Sequence, residues 1–129
     1  MNYFIYGLFA GNPKTYIPIP TGHGVDVRDV AKAHILALTA PGKDRRFIVC
    51  SQVFTWKDIS AIIRTERPEL ANRVPPEDAE CPVQTCAPLD DRSTKEVLGL
   101  KEYVPWEKTI VDTVDACLEY EKKQMVSTL

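Results

Sequence analysis

Strands are the scarce element in this chain of 129 residues, and their scarcity limits what it can fold into. Two stretches carry a strand-like apolar, β-branched pattern: VDV at residues 25–27 and RFIVC at residues 46–50. The remainder reads as helix, turn or loop, in the order helix, strand, helix, strand, helix, helix, helix. A parallel sheet needs helices on both faces and more strands than these, so a self-contained doubly wound domain is out of reach. The expected class is α/β, a small sheet flanked by helices. Residues 1–123 are expected to form one domain and residues 124–129 a frayed tail.

Local signals place the helices. The first spans residues 2–10, with Asn2 as its cap and Gly11, Asn12 and Pro13 as its stop. Its aromatics, Tyr3, Phe4, Tyr6 and Phe9, cover too much of the circumference for a free surface helix, so it must be buried or line a pocket. Residues 21–24 (TGHG) form a turn. Asp29 is expected to cap a helix over residues 30–39, with Val30, Ala33, His34 and Ala37 on one side. Thr55 and Asp58 match a capping box and open a helix to about Thr65, with the stripe Trp56, Ile59, Ile62 and Ile63. Pro68 ends that helix, because it disfavours helical backbone at Arg67. Residues 82–87 are expected to be extended. Asp91 starts a short helix closed by Gly99, and Pro105 opens a last one carrying Trp106, Ile110, Val114 and Cys117 or Leu118 to about Lys122.

Composition excludes several classes. Apolar and charged fractions of 44% and 26% are those of a globular domain. The net charge is −2, and the basic residues are scattered, which argues against nucleic acid as a partner. No apolar run approaches a membrane span, and MNYFIYGLFAG lacks the basic region and cleavage pattern of a signal peptide. Four cysteines contain no CxxC pair and only two histidines accompany them, so no metal site is expected. Cys50 and Cys117 read as reduced core thiols, Cys81 and Cys86 as free loop thiols, and the cytoplasm as the compartment.

VDVRDVAKAHILAL, then RFIVC, then FTWKDISAIIR with PEL soon after, then DDRSTKEVLGL and YVPWEKTIVDTVDACLEY follow one another in a telling order. In order and spacing they resemble the C-terminal part of extended short-chain dehydrogenases/reductases, nearest the branch of dihydroflavonol, cinnamoyl-CoA and aldehyde reductases. The resemblance covers nearly the whole chain. It implies that residues 2–11 correspond to a helix that walls the substrate pocket. Two family features are missing. None of the six glycines forms the glycine-rich turn that lets backbone approach a pyrophosphate. The family's catalytic Tyr has a Lys four residues on; Tyr3, Tyr6, Tyr16, Tyr103 and Tyr120 are followed there by Gly7, Ala10, Pro20, Glu107 and Gln124. No cofactor is therefore expected on this chain.

Among the residues that could do chemistry, His23 lies in the turn between two glycines and adjoins the strand carrying Asp26. Its side chain titrates near neutrality, which suits acid/base work. Asp26 and Arg28 are two apart, so extended backbone would send both to one face, for proton transfer or anion binding, with a plain ion pair as the alternative. Tyr3, Tyr6 and Phe9 are candidates for a pocket wall or an interface. Cys86, close to Gln84, could face a pocket. His34 reads as a satisfied packing histidine, Asp29 as a cap, and Trp56 and Trp106 as core residues.

Three functions compete. The main expectation is a cofactor-independent binder of a small apolar organic molecule, derived from a reductase substrate lobe. It would hold a reactive conformer for isomerisation, cyclisation or elimination, with His23 and Asp26 catalytic and Tyr3, Tyr6, Phe9, Arg28 and Cys86 binding. The second is a non-catalytic partner or half of a split reductase. The third is a part of an NADP-dependent ketone or aldehyde reductase. A homodimer is expected under the first, because self-pairing would cover the exposed strand edges.

Overall fold

The computed structural model describes residues 2–11, 13–19, 21–83 and 85–127, with the side chains of residues 2, 126 and 127 excepted. The roles read for Asn2 as a cap, for Asn12 as part of a stop and for Gln84 beside Cys86 fall outside what is described. The elements are α1 (Asn2–Gly7), β1 (His23–Gly24), α2 (Val27–Leu38), β2 (Gln52–Val53), α3 (Trp56–Glu66), a 3-10 turn (Pro68–Leu70), α4 (Arg92–Val97) and α5 (Trp106–Ser127). This is the small sheet flanked by helices, with far less strand than expected. β1 and β2 pair antiparallel, His23 opposite Val53 and Gly24 opposite Gln52.

The main core lies where α5 packs on α3 and α1. Ile5, Leu8 and Phe9 from α1 and its following turn meet Phe54, Trp56, Ile59, Ile63, Ile110 and Val114. The stripes read on α3 and α5 are the buried faces. Thr55 and Asp58 form the capping box in full: each side chain accepts from the other residue's backbone N–H. α3 stops at Glu66, one residue before the position that Pro68 restricts. Gly99, at φ +68°, closes the segment after α4 in the left-handed region that a Cβ disfavours. The first helix is shorter than residues 2–10: α-helical bonding stops at Gly7, and Leu8, Phe9 and Ala10 continue as turns bonded back to Ile5 and Tyr6.

Three expectations fail, each for a local reason. The strand expected at residues 25–27 is displaced to His23–Gly24, because Val27 already belongs to α2. Asp26, not Asp29, is the cap: its backbone is extended and its carboxylate accepts from the Arg28 N–H at 2.8 Å. Asp29 sits one turn in, buried, and accepts from the Val104 N–H at 2.9 Å. The buried strand expected at residues 46–50 is irregular, with Arg46 and Ile48 exposed. A strand needs a neighbour's ladder, and no backbone–backbone hydrogen bond reaches residues 46–50 among the described residues. Phe47 and Val49 nevertheless join Ala33, Leu98 and Leu100 in a second, smaller apolar cluster.

His34 is exposed rather than packed; its Nδ1 lies 2.8 Å from the Val30 carbonyl. Cys50 and Cys117 are half-buried, and burial raises both thiol pKa values above the ordinary range. All four cysteines are free. α5 runs to Ser127, beyond the expected end near Lys122; residues 128 and 129 lie outside the description. Among the described residues no helix is long and apolar enough to cross a membrane, and no group of three or more potential ligands could hold a metal ion.

Candidate functional site

A half-open groove of about 520 Å³ lies between the N-terminus of α2 and the first turns of α5. Its walls are mostly apolar: Ile5, Val25, Val30, Phe54, Trp106 and Ile110. Phe54 and Trp106 stack, with ring centroids 6.1 Å apart and planes 5° from parallel. Phe54 reaches this position because Gly24 has no side chain. A Cβ there would stand 2.1 Å from the Phe54 ring, so the close approach requires glycine.

The polar rim is built on Asp26. This carboxylate is 3% exposed and takes the Arg28 N–H at 2.8 Å, Arg28 Nε at 2.7 Å, Arg28 Nη2 at 2.6 Å and the Thr109 hydroxyl at 2.7 Å. Arg28 also reaches Asp112 on α5 at 2.8 Å, and Asp112 pairs with Lys108 at 3.0 Å. The Arg28 guanidinium holds the Asp26 carboxyl well below the usual carboxylate range, and Asp26 in turn raises Arg28. Lys108, and after it Arg28, lowers Asp112. A carboxylate filled by four donors and held far below neutrality stays ionised, so its chemistry here is to fix α2 against α5.

Only part of the residue set singled out in the sequence converges on this groove. Asp26 and Arg28 line it; Tyr3, Tyr6, Phe9, His23 and Cys86 do not. Tyr3 is 81% exposed and meets Phe4 edge-on. Tyr6 hydrogen-bonds Glu121, which raises its pKa, and Arg73 pairs with the same carboxylate at 2.7 Å and lowers the Glu121 pKa. Phe9 is fully buried beneath the Arg73 guanidinium, 5.3 Å from its ring centroid. His23 is half-buried in β1 opposite Val53, and Cys86 Sγ lies 3.9 Å from the Thr21 carbonyl. The helix read as a pocket wall thus gives the groove Ile5 rather than its aromatics. Phe54, Thr109 and Asp112 were not singled out beforehand. The signal for the last two was their spacing: Thr109 and Asp112 are three apart on α5 and so share a face.

A dinucleotide would need a helix N-terminus open to its pyrophosphate and a glycine that lets backbone approach. The N-terminus of α2 is filled by the Asp26 carboxylate, and that of α3 by the Asp58 carboxylate. The space left by Gly24 holds the Phe54 ring. Neither of these two helix N-termini, nor the space at Gly24, is open to a pyrophosphate.

No family model matches the chain. It is 33% identical over 114 residues to the NADPH-dependent methylglyoxal reductase of Saccharomyces cerevisiae, covering 85% of this chain and 33% of that protein. It is 35% identical over 112 residues to a ketoreductase of Cercospora beticola, covering 82% of this chain and 30% of the relative. The crystal structure of the yeast methylglyoxal/isovaleraldehyde reductase complexed with NADPH superposes on 92% of this chain with a TM-score of 0.75 and 28% identity, over 40% of its own length. The chain thus spans about a third of the length of the curated relatives it matches. These similarities favour the third expectation, a part of an NADP-dependent reductase, over the first, and nothing in them supports an isomerase, cyclase or lyase. The order of motifs, the superposition and the shared identity together place the chain in the extended short-chain dehydrogenase/reductase family, where it corresponds to the C-terminal part.

Proposed function

We propose that this chain forms the substrate-side lobe of an NADPH-dependent carbonyl reductase acting on small aldehydes or ketones. The nucleotide site and the Tyr/Lys pair would come from a part of the protein that these 129 residues do not include. The observation that carries the proposal is the superposition on the yeast reductase, over most of this chain and a minority of that one. The filled N-termini of α2 and α3 agree with such a division of labour. In it, the apolar groove accepts the organic end of a substrate, the Phe54–Trp106 stack forms one wall, and the Asp26–Arg28–Asp112 network keeps the rim rigid. Rigid walls contribute orientation, and the hydride donor and proton donor belong to the other half.

Absorbance at 340 nm tests this directly. The isolated chain mixed with NADPH and methylglyoxal or isovaleraldehyde is expected to show neither binding nor oxidation. The same chain joined behind the nucleotide-binding half of the yeast reductase is expected to oxidise NADPH with both. Stoichiometric NADPH uptake by the isolated chain, or a folded but inert joined protein, would overturn the proposal.

A further inference from the structure

Phe54 is pinned at its backbone and hemmed in at its ring. The Thr21 hydroxyl donates to the Phe54 carbonyl. Beside it, Gly24 pairs with Gln52, and its carbonyl accepts from the Ser51 N–H at 2.9 Å and the Ser51 hydroxyl at 3.0 Å. Trp106 stacks on the ring, and Phe54 belongs to the main apolar cluster with Trp56 and Ile110. The three nearest atoms that a Cβ at Gly24 would meet all belong to Phe54. They are an ε carbon at 2.1 Å, the ζ carbon at 2.8 Å and a δ carbon at 3.3 Å. The far half of the ring therefore collides outright with an alanine, while the near half is only tight.

We propose that Gly24 is a positioning residue that sets how large a substrate the groove admits, acting through the Phe54 ring. This rests on the reductase function proposed above and adds the residue that fixes its size limit. With glycine, the ring lies over β1 and the groove keeps about 520 Å³. That space falls within the range of sites for drug-sized ligands and exceeds what a short branched aldehyde fills. With alanine, the ring must swing off β1. Its backbone is held, Trp106 stands against it and the core is packed, so the room left to it is the groove itself. The substrate class that depends on Gly24 is an uncharged ketone of about two fused rings. Arg28 and Lys108 at the rim are already paired with Asp26 and Asp112, so a carboxylate would compete with these for either cation.

The probe is 2-acetylnaphthalene, added to the 129-residue chain and followed by the NMR shifts of the Ile5, Val30 and Ile110 methyl groups, which also report folding. The parent is expected to bind it at these methyls, and Gly24→Ala to bind it about tenfold more weakly. On a Phe54→Leu background the same change at Gly24 should cost no affinity, because leucine ends near the δ carbons and nothing collides. A general structural fault would weaken binding on both backgrounds. In the chain joined behind the nucleotide-binding half of the yeast reductase, Gly24→Ala should raise the KM for 2-acetylnaphthalene relative to that for isovaleraldehyde by about tenfold, in KM rather than kcat. Phe54→Leu alone, which opens the groove without touching Gly24, should move that ratio the other way. Absent methyl shifts in the parent, equal losses with and without Phe54→Leu, or KM ratios that ignore both residues would each overturn the proposal. Methyl shifts that follow the expected pattern without any turnover refute the reductase function and leave the role of Gly24 standing; turnover with unchanged ratios does the reverse.

Discussion

The two apolar clusters of this molecule differ in how far they are closed. Around α1, α3 and α5, a dozen buried residues interlock, among them Phe9, Ile59 and Val114, and partly buried neighbours surround them on several sides. Around α2, only Ala33, Leu98 and Leu100 are buried, and the partly buried Phe47, Val49 and Tyr103 form their edge. Both regions were assembled from the same kinds of residue. The first meets its packing needs within the chain, and the second has apolar surface on α2 and strand-like backbone at residues 46–50 that nothing among the described residues receives. Local sequence therefore forms an element wherever its partners are also present, and leaves it half-made where they are not.

This contrast can be broken by mutation. Phe9→Ala removes a fully buried ring from the closed cluster and should cost about 3–5 kcal/mol, read by urea denaturation. Leu98→Ala, in the open cluster, should cost about 2 kcal/mol, at the low end for leucine truncation, because the surroundings there can collapse. Equal losses at the two sites would erase the distinction. Asp26→Asn cuts the joint between the regions and should cost about 2 kcal/mol at neutral pH, from the weakened charge-assisted bonds to Arg28 and Thr109. Because the folded Asp26 pKa is depressed, its contribution is present above the unfolded carboxylate pKa and is lost as pH falls below about 4. The variant should therefore lose less stability between pH 5 and roughly pH 2 than the parent does, as thermal melts across that range would show. Leu38→Asp should change the stability of the isolated chain by no more than about 0.5 kcal/mol, since that side chain packs on little. A larger loss would mean that α2 is already covered in solution.

Sequence legibility follows the same division. The Thr55–Asp58 capping box, the stop before Pro68, the left-handed Gly99 and the stripe of α5 are settled within a few residues of chain, and all four could be read directly. The cap of α2 could not, because VDVRDVA offers two aspartates. The choice of Asp26 depends on Thr109 and Asp112, more than eighty residues away, while Asp29 is claimed by Val104. The 46–50 segment has the composition of a strand and lacks the ladder, a fact no local pattern contains. The groove was half legible. Asp26 and Arg28 were visible as a pair, but the Phe54 wall depends on its approach to Gly24 across the β1–β2 pairing.

The attachments of α2 are unevenly distributed along it. Asp26, Arg28 and Asp29 bolt its first turn to α5 and to the stretch ahead of it, while Leu38 at the far end hangs in solvent. The helix is thus held by charged bonds at its root, beside the groove, and by apolar packing of Ala33 and Leu36 along the rest, so salt screens the fastening next to the groove and leaves the other one untouched.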